Sequence, residues 1–177
     1  MTVCFDQPGL PAGIADIGPV SDATLFAFES DFSGSLRCIP MIVRLKLDLC
    51  GIKLSLRQWS RFTRDDRAAL VEDPCETAAE AAAYGVALAG LIADRAGETA
   101  VNLPIDPAPA WADTFCVPER VAAYVAGLGL PALSVGQWGR LSVLQRFALF
   151  KLTRPGHDND NLEPAMREFG LLDHGHF

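Results

Sequence analysis

The sequence predicts an all-α fold: a single domain of two pseudo-repeated three-helix units, joined by an Ala-rich helix and a Pro-rich loop. Three observations lead to this prediction. They are a segment that occurs twice, helix-capping patterns at matching places in both copies, and an Ala-rich run between them. The chain has 177 residues, of which 50% are hydrophobic, so it can bury the core of one domain.

The duplicated segment covers residues 38–70 and 116–149, with one residue inserted in the second copy after Pro131. Both copies contain the patterns C-[IV]-P, L-S-x-x-Q-W and R-x-A-L. Positions that are identical in both copies are best explained by folding, so Trp59 and Trp138 are predicted to be scaffold residues. Charged positions that occur only in the first copy are better candidates for function.

The order of elements follows from composition and from the repeat. Residues 1–24 are rich in Pro, Gly and Asp and are expected to be a loose lead-in to a domain at 25–177. The residues from Leu25 to Phe32 alternate enough to indicate a short extended segment. The predicted parts that follow are a first unit at about 36–74, a connecting helix at 77–96, a second unit at about 116–155, and a C-terminal loop and helix within 156–170.

The first helix of the first unit resembles a β-hairpin in its sequence. Polar and apolar residues alternate over 43–56 around Gly51, which is typical of two paired strands. The second copy decides against strands, because residues 118–128 begin with proline, are rich in Ala and carry an apolar stripe at helical spacing. Since homologous copies share a fold, both segments are predicted to be helices that end at Gly51 and Gly129.

Capping boxes mark the starts of the other helices. In such a box a Ser or Thr side chain and a side chain three residues later satisfy backbone N–H groups of the first turn. The predicted pairs are Ser55 with Gln58, Thr63 with Asp66, Thr77 with Glu80, Ser134 with Gln137, and Ser142 with Gln145. Gly97 is expected to close the Ala-rich helix, a Pro-rich loop follows at 103–109, and a last short helix is expected from Glu163 to Phe169.

The charge of the chain is unevenly distributed. The net charge is −7, but the segment from Arg37 to Arg67 carries +5 and the remainder −12. This balance disfavours general nucleic-acid binding and predicts a basic surface on an acidic body. Such a surface could dock an anionic partner or a phosphate-bearing cofactor, and the alternative is a solvated helix face. The docking candidates, each uncharged in the second copy, are Arg37, Arg44, Lys46, Asp48 and Lys53.

Cys38, Cys50 and Cys75 form a second candidate site. They could hold a soft metal or an Fe–S cluster only if the fold brought them within a few ångströms, and their spacing matches no standard ligand pattern. Packing is the alternative, because free Cys is among the most buried residue types. Five cysteines, widely spaced and without a C-x-x-C pair, argue against a disulfide framework. No nucleophile–base pair or enzyme motif can be named, so no enzyme is expected.

Several runs of the first half resemble a known family. They are F-A-F-E-S-D-F at 26–32, S-L-R-C-I-P-M at 35–41, V-R-L-K-L-D-L-C-G-I-K-L at 43–54, Trp59 and Pro74-Cys75, with a weaker continuation through His157-Asp158-Asn159 and the terminal helix. In these runs the chain is similar to a small bacterial family of nitrate-reductase-associated proteins. Its genes lie beside nitrate-assimilation genes, and its cyanobacterial members are required for an active assimilatory nitrate reductase.

The resemblance implies a maturation or accessory factor without catalytic residues. The implied partner is assimilatory nitrate reductase, a cytoplasmic enzyme with a molybdopterin guanine dinucleotide and an Fe–S cluster. No resident cofactor is expected, only transient contact with the molybdenum cofactor or the Fe–S cluster of the partner. The chain has no apolar run of the roughly 18 residues that a membrane helix needs, and no secretory signal, so we expect a cytoplasmic protein without membrane or nucleic-acid partners. A metal carrier and a scaffolding module are the alternatives.

Overall fold

The computed structural model describes residues 25–29, 36–154 and 160–172. Within these ranges the chain forms eight α-helices, one 3-10 turn and a two-stranded sheet. The helices are α1 (Met41–Cys50), α2 (Leu56–Arg61), α3 (Arg64–Glu72), α4 (Ala78–Ala96), α5 (Glu119–Gly127), α6 (Val135–Arg140), α7 (Val143–Leu152) and α8 (Leu162–Glu168). The mainly helical class is confirmed, and the expected lead-in at 1–24 lies outside the described residues. No helix in the described ranges has both the length and the apolar character needed to cross a membrane.

Helix α1 is the central element and packs against α3, α4 and α7. Along its length only Arg44 and Asp48, one turn apart, are exposed. The helix ends at Gly51, which has a left-handed φ of 66° and whose N–H donates to the Leu47 carbonyl. The prediction of a helix in place of a hairpin is therefore confirmed for this segment.

All five predicted capping boxes are present, with both side-chain hydrogen bonds formed in each. They begin α2, α3, α4, α6 and α7, and each cap stabilises its helix by about 1 kcal/mol. The two duplicated segments thus each fold into three helices, α1 to α3 and α5 to α7. A pseudo-twofold relation between these units stays a prediction.

The two shared tryptophans lie in the core and make matching hydrogen bonds. Both are 0% exposed. The Nε1 of Trp59 donates to the Leu36 carbonyl at 2.7 Å, and that of Trp138 donates to the Asp113 carbonyl at 2.8 Å. Each tryptophan therefore ties the second helix of its unit to the backbone that leads into the first helix.

The structure also contains a small sheet, which the predicted all-α class did not include. Strand β1 (Ile52–Lys53) begins directly after the glycine that ends α1, and it pairs antiparallel with β2 (Val101–Asn102). The Leu103 N–H donates to the Gly51 carbonyl at 2.7 Å, and a Cβ on Gly51 would lie 2.7 Å from the Leu103 oxygen. The close approach of the Leu103 backbone therefore requires a glycine at position 51.

The prediction of an extended segment at the start of the domain is wrong for the residues that the structure describes there, since Ala27–Glu29 form a 3-10 turn. The Glu168 carboxylate of α8 accepts the N–H groups of the first two residues of this turn at 2.8 and 3.0 Å. The buried Glu29 carboxylate accepts the Met41 N–H at 2.9 Å and so caps α1, since Pro40 offers no side-chain cap. Carboxylates that lie far along the chain from their N–H partners thus stabilise a turn in this segment. Residues 30–35 lie outside the described part of the chain.

Candidate functional site

Lys46, which the sequence places on a docking surface, is buried in the core. Its Nζ donates to the carbonyl oxygens of Leu70, Val71 and Asp73 at 3.3, 2.6 and 2.6 Å. These carbonyls lie at the C-terminal end of α3, where they have no partners within the helix and carry the negative end of its dipole. Burial lowers the pKa of Lys46. The predicted surface position is therefore wrong, and this lysine joins α1 to α3.

The docking role of the remaining predicted residues, Arg37, Arg44, Asp48 and Lys53, stays a prediction, and all four are exposed. Asp48 is already paired within the molecule, since its Oδ2 lies 2.7 Å from the Nζ of Lys151 on α7. Arg37 precedes α1 and the exposed Lys53 follows it. The ten residues of α1 rise about 15 Å between them. A docking role for Lys53 or Asp48 together with Arg37 stays a prediction without support from their placement.

Arg44 is exposed at the N-terminal end of α1, but it also has structural contacts. Its Nε donates to the Ile39 carbonyl at 3.0 Å. Its positive charge acts on the Glu29 carboxylate, whose pKa is raised by burial and lowered in part by backbone hydrogen bonds and by Arg44. Arg44 thus helps to stabilise the start of α1, and its predicted docking role stays untested.

A different basic cluster forms where the segment before α1 meets the turn between α2 and α3. Its centre is the Leu36 carbonyl, which accepts the Trp59 Nε1 and, at 3.1 Å, the Arg67 Nη1. The same guanidinium donates from Nε to the Trp59 carbonyl at 3.1 Å and from Nη2 to the Ser60 carbonyl at 3.2 Å. Arg67 therefore fixes three chain segments to one another.

Three exposed arginines surround this junction. Arg37 follows Leu36, Arg61 follows Ser60, and Arg64 lies one turn before Arg67 on α3. We name the set of Arg37, Arg61, Arg64 and Arg67 the arginine corner. Neither Arg61 nor Arg64 forms an ion pair with another described residue.

The acidic residues beside Arg64 are Asp65 and Asp66, and Asp66 is engaged within the fold. Asp66 accepts the Thr63 N–H at 2.8 Å and pairs with Arg95 of α4, whose Nε lies 2.8 Å from its Oδ2. The hydrogen bond from the Arg95 guanidinium holds the pKa of Asp66 at about 2. Its charge is thus used within the fold, and the exposed Asp65 beside Arg64 offsets one positive charge only.

The corresponding positions of the second unit carry different surface residues. Phe115 stands in the sequence where the first unit has Arg37, and its side chain is 87% exposed. Val143 stands where the first unit has Arg64. Comparing the two copies could therefore have selected Arg64. The comparison discarded Arg61, because the second copy also has an arginine at that position, Arg140.

The three candidate metal-binding cysteines do not form a ligand set. Cys38 precedes α1 and Cys50 ends it, so the helix rise separates them by about 14 Å or more. No group of three His, Cys, Asp or Glu side chains within the described ranges could hold a metal ion. Burial raises the pKa of the Cys75 thiol to about 12, so that thiol is protonated at neutral pH. The distance between Cys38 and Cys50 thus contradicts a metal site formed by Cys38, Cys50 and Cys75 together.

The other described cysteine, Cys116, differs from these three. Cys38, Cys50 and Cys75 are free thiols, whereas Cys116 is disulfide-bonded. The cysteine spacing of the sequence did not predict this bond.

Comparison with protein families matches one family, described as conserved nitrate reductase-associated protein, over residues 25–169. The matched region includes both three-helix units, the connecting helix α4 and the C-terminal helix α8. Comparisons with curated proteins and with solved structures find no match. Since the family match covers most of the chain, this protein belongs to the conserved nitrate reductase-associated protein family.

Proposed function

We propose that this protein is a non-enzymatic accessory factor of an assimilatory nitrate reductase, which it helps to acquire or retain its cofactor. The observation that carries the proposal is the family match over residues 25–169. In this role the protein works in the cytoplasm beside the enzyme and contacts the molybdenum cofactor or the Fe–S cluster only while the enzyme matures. The two units are its scaffold, which we propose arose by duplication of one three-helix unit.

The chemistry of the described side chains supports a binding role. The unusual polar side chains have structural tasks: Lys46 and Arg67 donate to backbone carbonyls, and Glu29 accepts a helix N–H. The exposed Arg61 follows Ser60, whose carbonyl accepts Arg67, and the exposed Arg64 lies one turn before Arg67 on α3. Clustered exposed cations of this kind guide and orient a protein partner more than they transform a substrate.

A deletion strain of the source organism tests the proposal. We expect the strain to fail to grow with nitrate as the nitrogen source and to grow normally with nitrite, because only the reductase step loses its support. The reductase purified from this strain should contain less molybdenum than the enzyme from the wild type. A plasmid copy of the gene should restore both properties.

Two results would change the proposal. Normal growth of the deletion strain on nitrate would contradict an accessory role. A reductase that is scarce but fully loaded with molybdenum would instead favour the scaffolding alternative, in which the protein stabilises the enzyme without assisting its cofactor.

A further inference from the structure

We infer that the two-stranded sheet of the first unit docks an extended segment of a partner protein, which adds to the outer edge of β2 and carries apolar side chains beside an acidic one. That this partner is nitrate reductase rests on the proposed function. The chemistry of the segment rests on the sheet itself, through its apolar face, the lysine on that face and the edge of β2.

The solvent face of the sheet is apolar, and its side chains lie close together. The register places Val101 opposite Lys53, and the hydrogen bond from the Leu103 N–H to the Gly51 carbonyl continues it. Val101 and Leu103 therefore share one face, where they are 53% and 49% exposed. Ile105 is 45% exposed and joins them, because a Cβ on Gly51 would lie 2.8 Å from its side chain. Three neighbouring apolar side chains form a patch, whereas single exposed ones are ordinary.

The second unit has no counterpart of this face. The described residues that follow Gly129 form no strand, and Pro131 stands in the sequence where the first unit has Lys53. A three-helix unit of this type therefore folds without the sheet. The sheet is an addition of the first unit rather than part of the scaffold that both units share.

The lysine beside the patch selects the charge of the partner. The exposed Lys53 forms no ion pair with any described residue. Arg57, which follows it on α2, is already paired, since its Nη2 lies 2.7 Å from the Glu98 carboxylate. Opposite side chains of an antiparallel pair have Cβ atoms about 5 Å apart, so a carboxylate that approaches Lys53 also lies beside Val101. The docked segment therefore carries an Asp or Glu next to its apolar side chains.

The outer edge of β2 specifies an extended chain as the partner. Because the Leu103 N–H donates to the Gly51 carbonyl, the antiparallel pattern directs the N–H and C=O of Asn102 away from β1. Asn102 is exposed, and no other described strand pairs with β2 on that side. A segment that adds there gains main-chain hydrogen bonds. Pro104, which has no N–H, limits this pairing to a short stretch.

The strand is held in position before any partner arrives. Just before β2, the Glu98 carboxylate accepts hydrogen bonds from Arg57 and Gln58 of α2, both at 2.7 Å. Just after it, the Leu103 N–H donates to Gly51 at 2.7 Å, and Pro104 restricts the backbone. Little backbone freedom is therefore lost when a segment binds here, which favours recognition.

Binding of purified nitrate reductase to matched variants tests the face. The patch variant carries Val101→Ser and Leu103→Ser, and the charge variant carries Lys53→Glu. The controls, at exposed positions elsewhere, carry Val86→Ser with Leu128→Ser, and Arg154→Glu. We expect the patch and charge variants each to bind the reductase about tenfold more weakly than the wild type, and both controls to bind like the wild type.

A short peptide tests the chemistry without the reductase. The probe is Val-Thr-Leu-Thr-Glu with both ends capped. When it pairs antiparallel with β2, its Val, Leu and Glu lie opposite Ile105, Leu103 and Val101, which brings the Glu towards Lys53. In NMR titrations we expect the Asn102 amide signal to shift and its hydrogen exchange to slow. A peptide with Lys in place of Glu should bind several-fold more weakly.

Each outcome supports or overturns the inference. If the reductase binds the patch and charge variants as tightly as the wild type, the inference is overturned and the proposed function stands. If the reductase does not bind the wild type, direct association fails and the peptide decides alone: an unchanged Asn102 amide, or equal binding of the two peptides, overturns the inference. A wild-type dimer in sedimentation that the patch variant abolishes would assign the face to a second copy instead. Should the patch variant unfold, Leu103→Ser alone replaces it, because this side chain is exposed.

Discussion

At the scale of single residues, Lys46 shows how a positive charge can be kept in an apolar core. Transfer of an ammonium group from water to the protein interior costs several kcal/mol. Three carbonyl oxygens at the end of α3 take the place of water around its Nζ, and the Tyr84 ring centroid lies 5.6 Å away. The pKa of Lys46 is lowered because these contacts compensate for only part of the cost of burial.

We predict that Lys46→Met destabilises the protein by about 2 kcal/mol, because it leaves the Val71 carbonyl at the end of α3 without its donor. The matched control Lys53→Met, at an exposed position, should change the free energy of unfolding by at most about 0.5 kcal/mol. Urea denaturation of both variants measures the difference. Folded Lys46→Met should bind nitrate reductase like the wild type, and a loss of affinity with unchanged stability would return this lysine to the docking surface.

The buried lysine also explains why α1 has the sequence pattern of a strand. Arg44, Lys46 and Asp48 alternate with apolar residues, but only the first and the last of the three meet solvent. The carbonyls that make room for Lys46 belong to α3, which lies more than twenty residues further along the chain. Local periodicity carries no information about such a distant partner, whereas the second copy of the repeat identified the helix correctly.

At the scale of elements, the glycines that close helices differ in what surrounds them. Gly51 and Gly97 end α1 and α4 with nearly the same φ, 66° and 67°. A Cβ added to Gly97 would meet nothing within 4 Å, whereas one on Gly51 would lie 2.7 Å from the Leu103 carbonyl oxygen and 2.8 Å from the Ile105 side chain. A substitution at Gly97 therefore introduces backbone strain alone, whereas a substitution at Gly51 introduces backbone strain and steric overlap.

We predict that Gly97→Ala costs about 1 kcal/mol of stability, which is the strain of a left-handed alanine. Gly51→Ala should cost about 3 kcal/mol, because the Cβ also pushes the chain around β2 away from α1. Thermal denaturation of the two variants makes the comparison. Equal losses would show that the contact between Gly51 and Leu103 contributes nothing to stability.

The elements that sequence predicted well are those with local causes. Each capping box lies within one turn, so Ser55 and Gln58 identify the start of α2 without knowledge of the rest of the fold. The two-stranded sheet and the 3-10 turn depend on Gly51 meeting Leu103 and on Glu168 meeting Ala27, which are far apart in the chain. Such contacts leave no local pattern, and these elements were missed.

At the scale of the whole molecule, residues 38–70 and 116–149 each contain three helices and expose different residues. The sequence predicted docking residues before, on and after α1, namely Arg37, Arg44, Lys46, Asp48 and Lys53, and of these Lys46 is buried while the docking role of the others stays a prediction. The hydrogen bonds of Arg67 join the segment before α1 to the end of α2, next to Arg61. A shared arginine such as Arg61 was attributed to folding, although shared residues can also be exposed.

The most direct test of the central claim is growth of the deletion strain with and without a plasmid copy of the gene. The claim is that this helical protein supports an assimilatory nitrate reductase. We predict that the strain without the gene grows on nitrite and fails on nitrate, and that the plasmid copy restores growth on nitrate. Wild-type growth on nitrate without the gene would contradict the account.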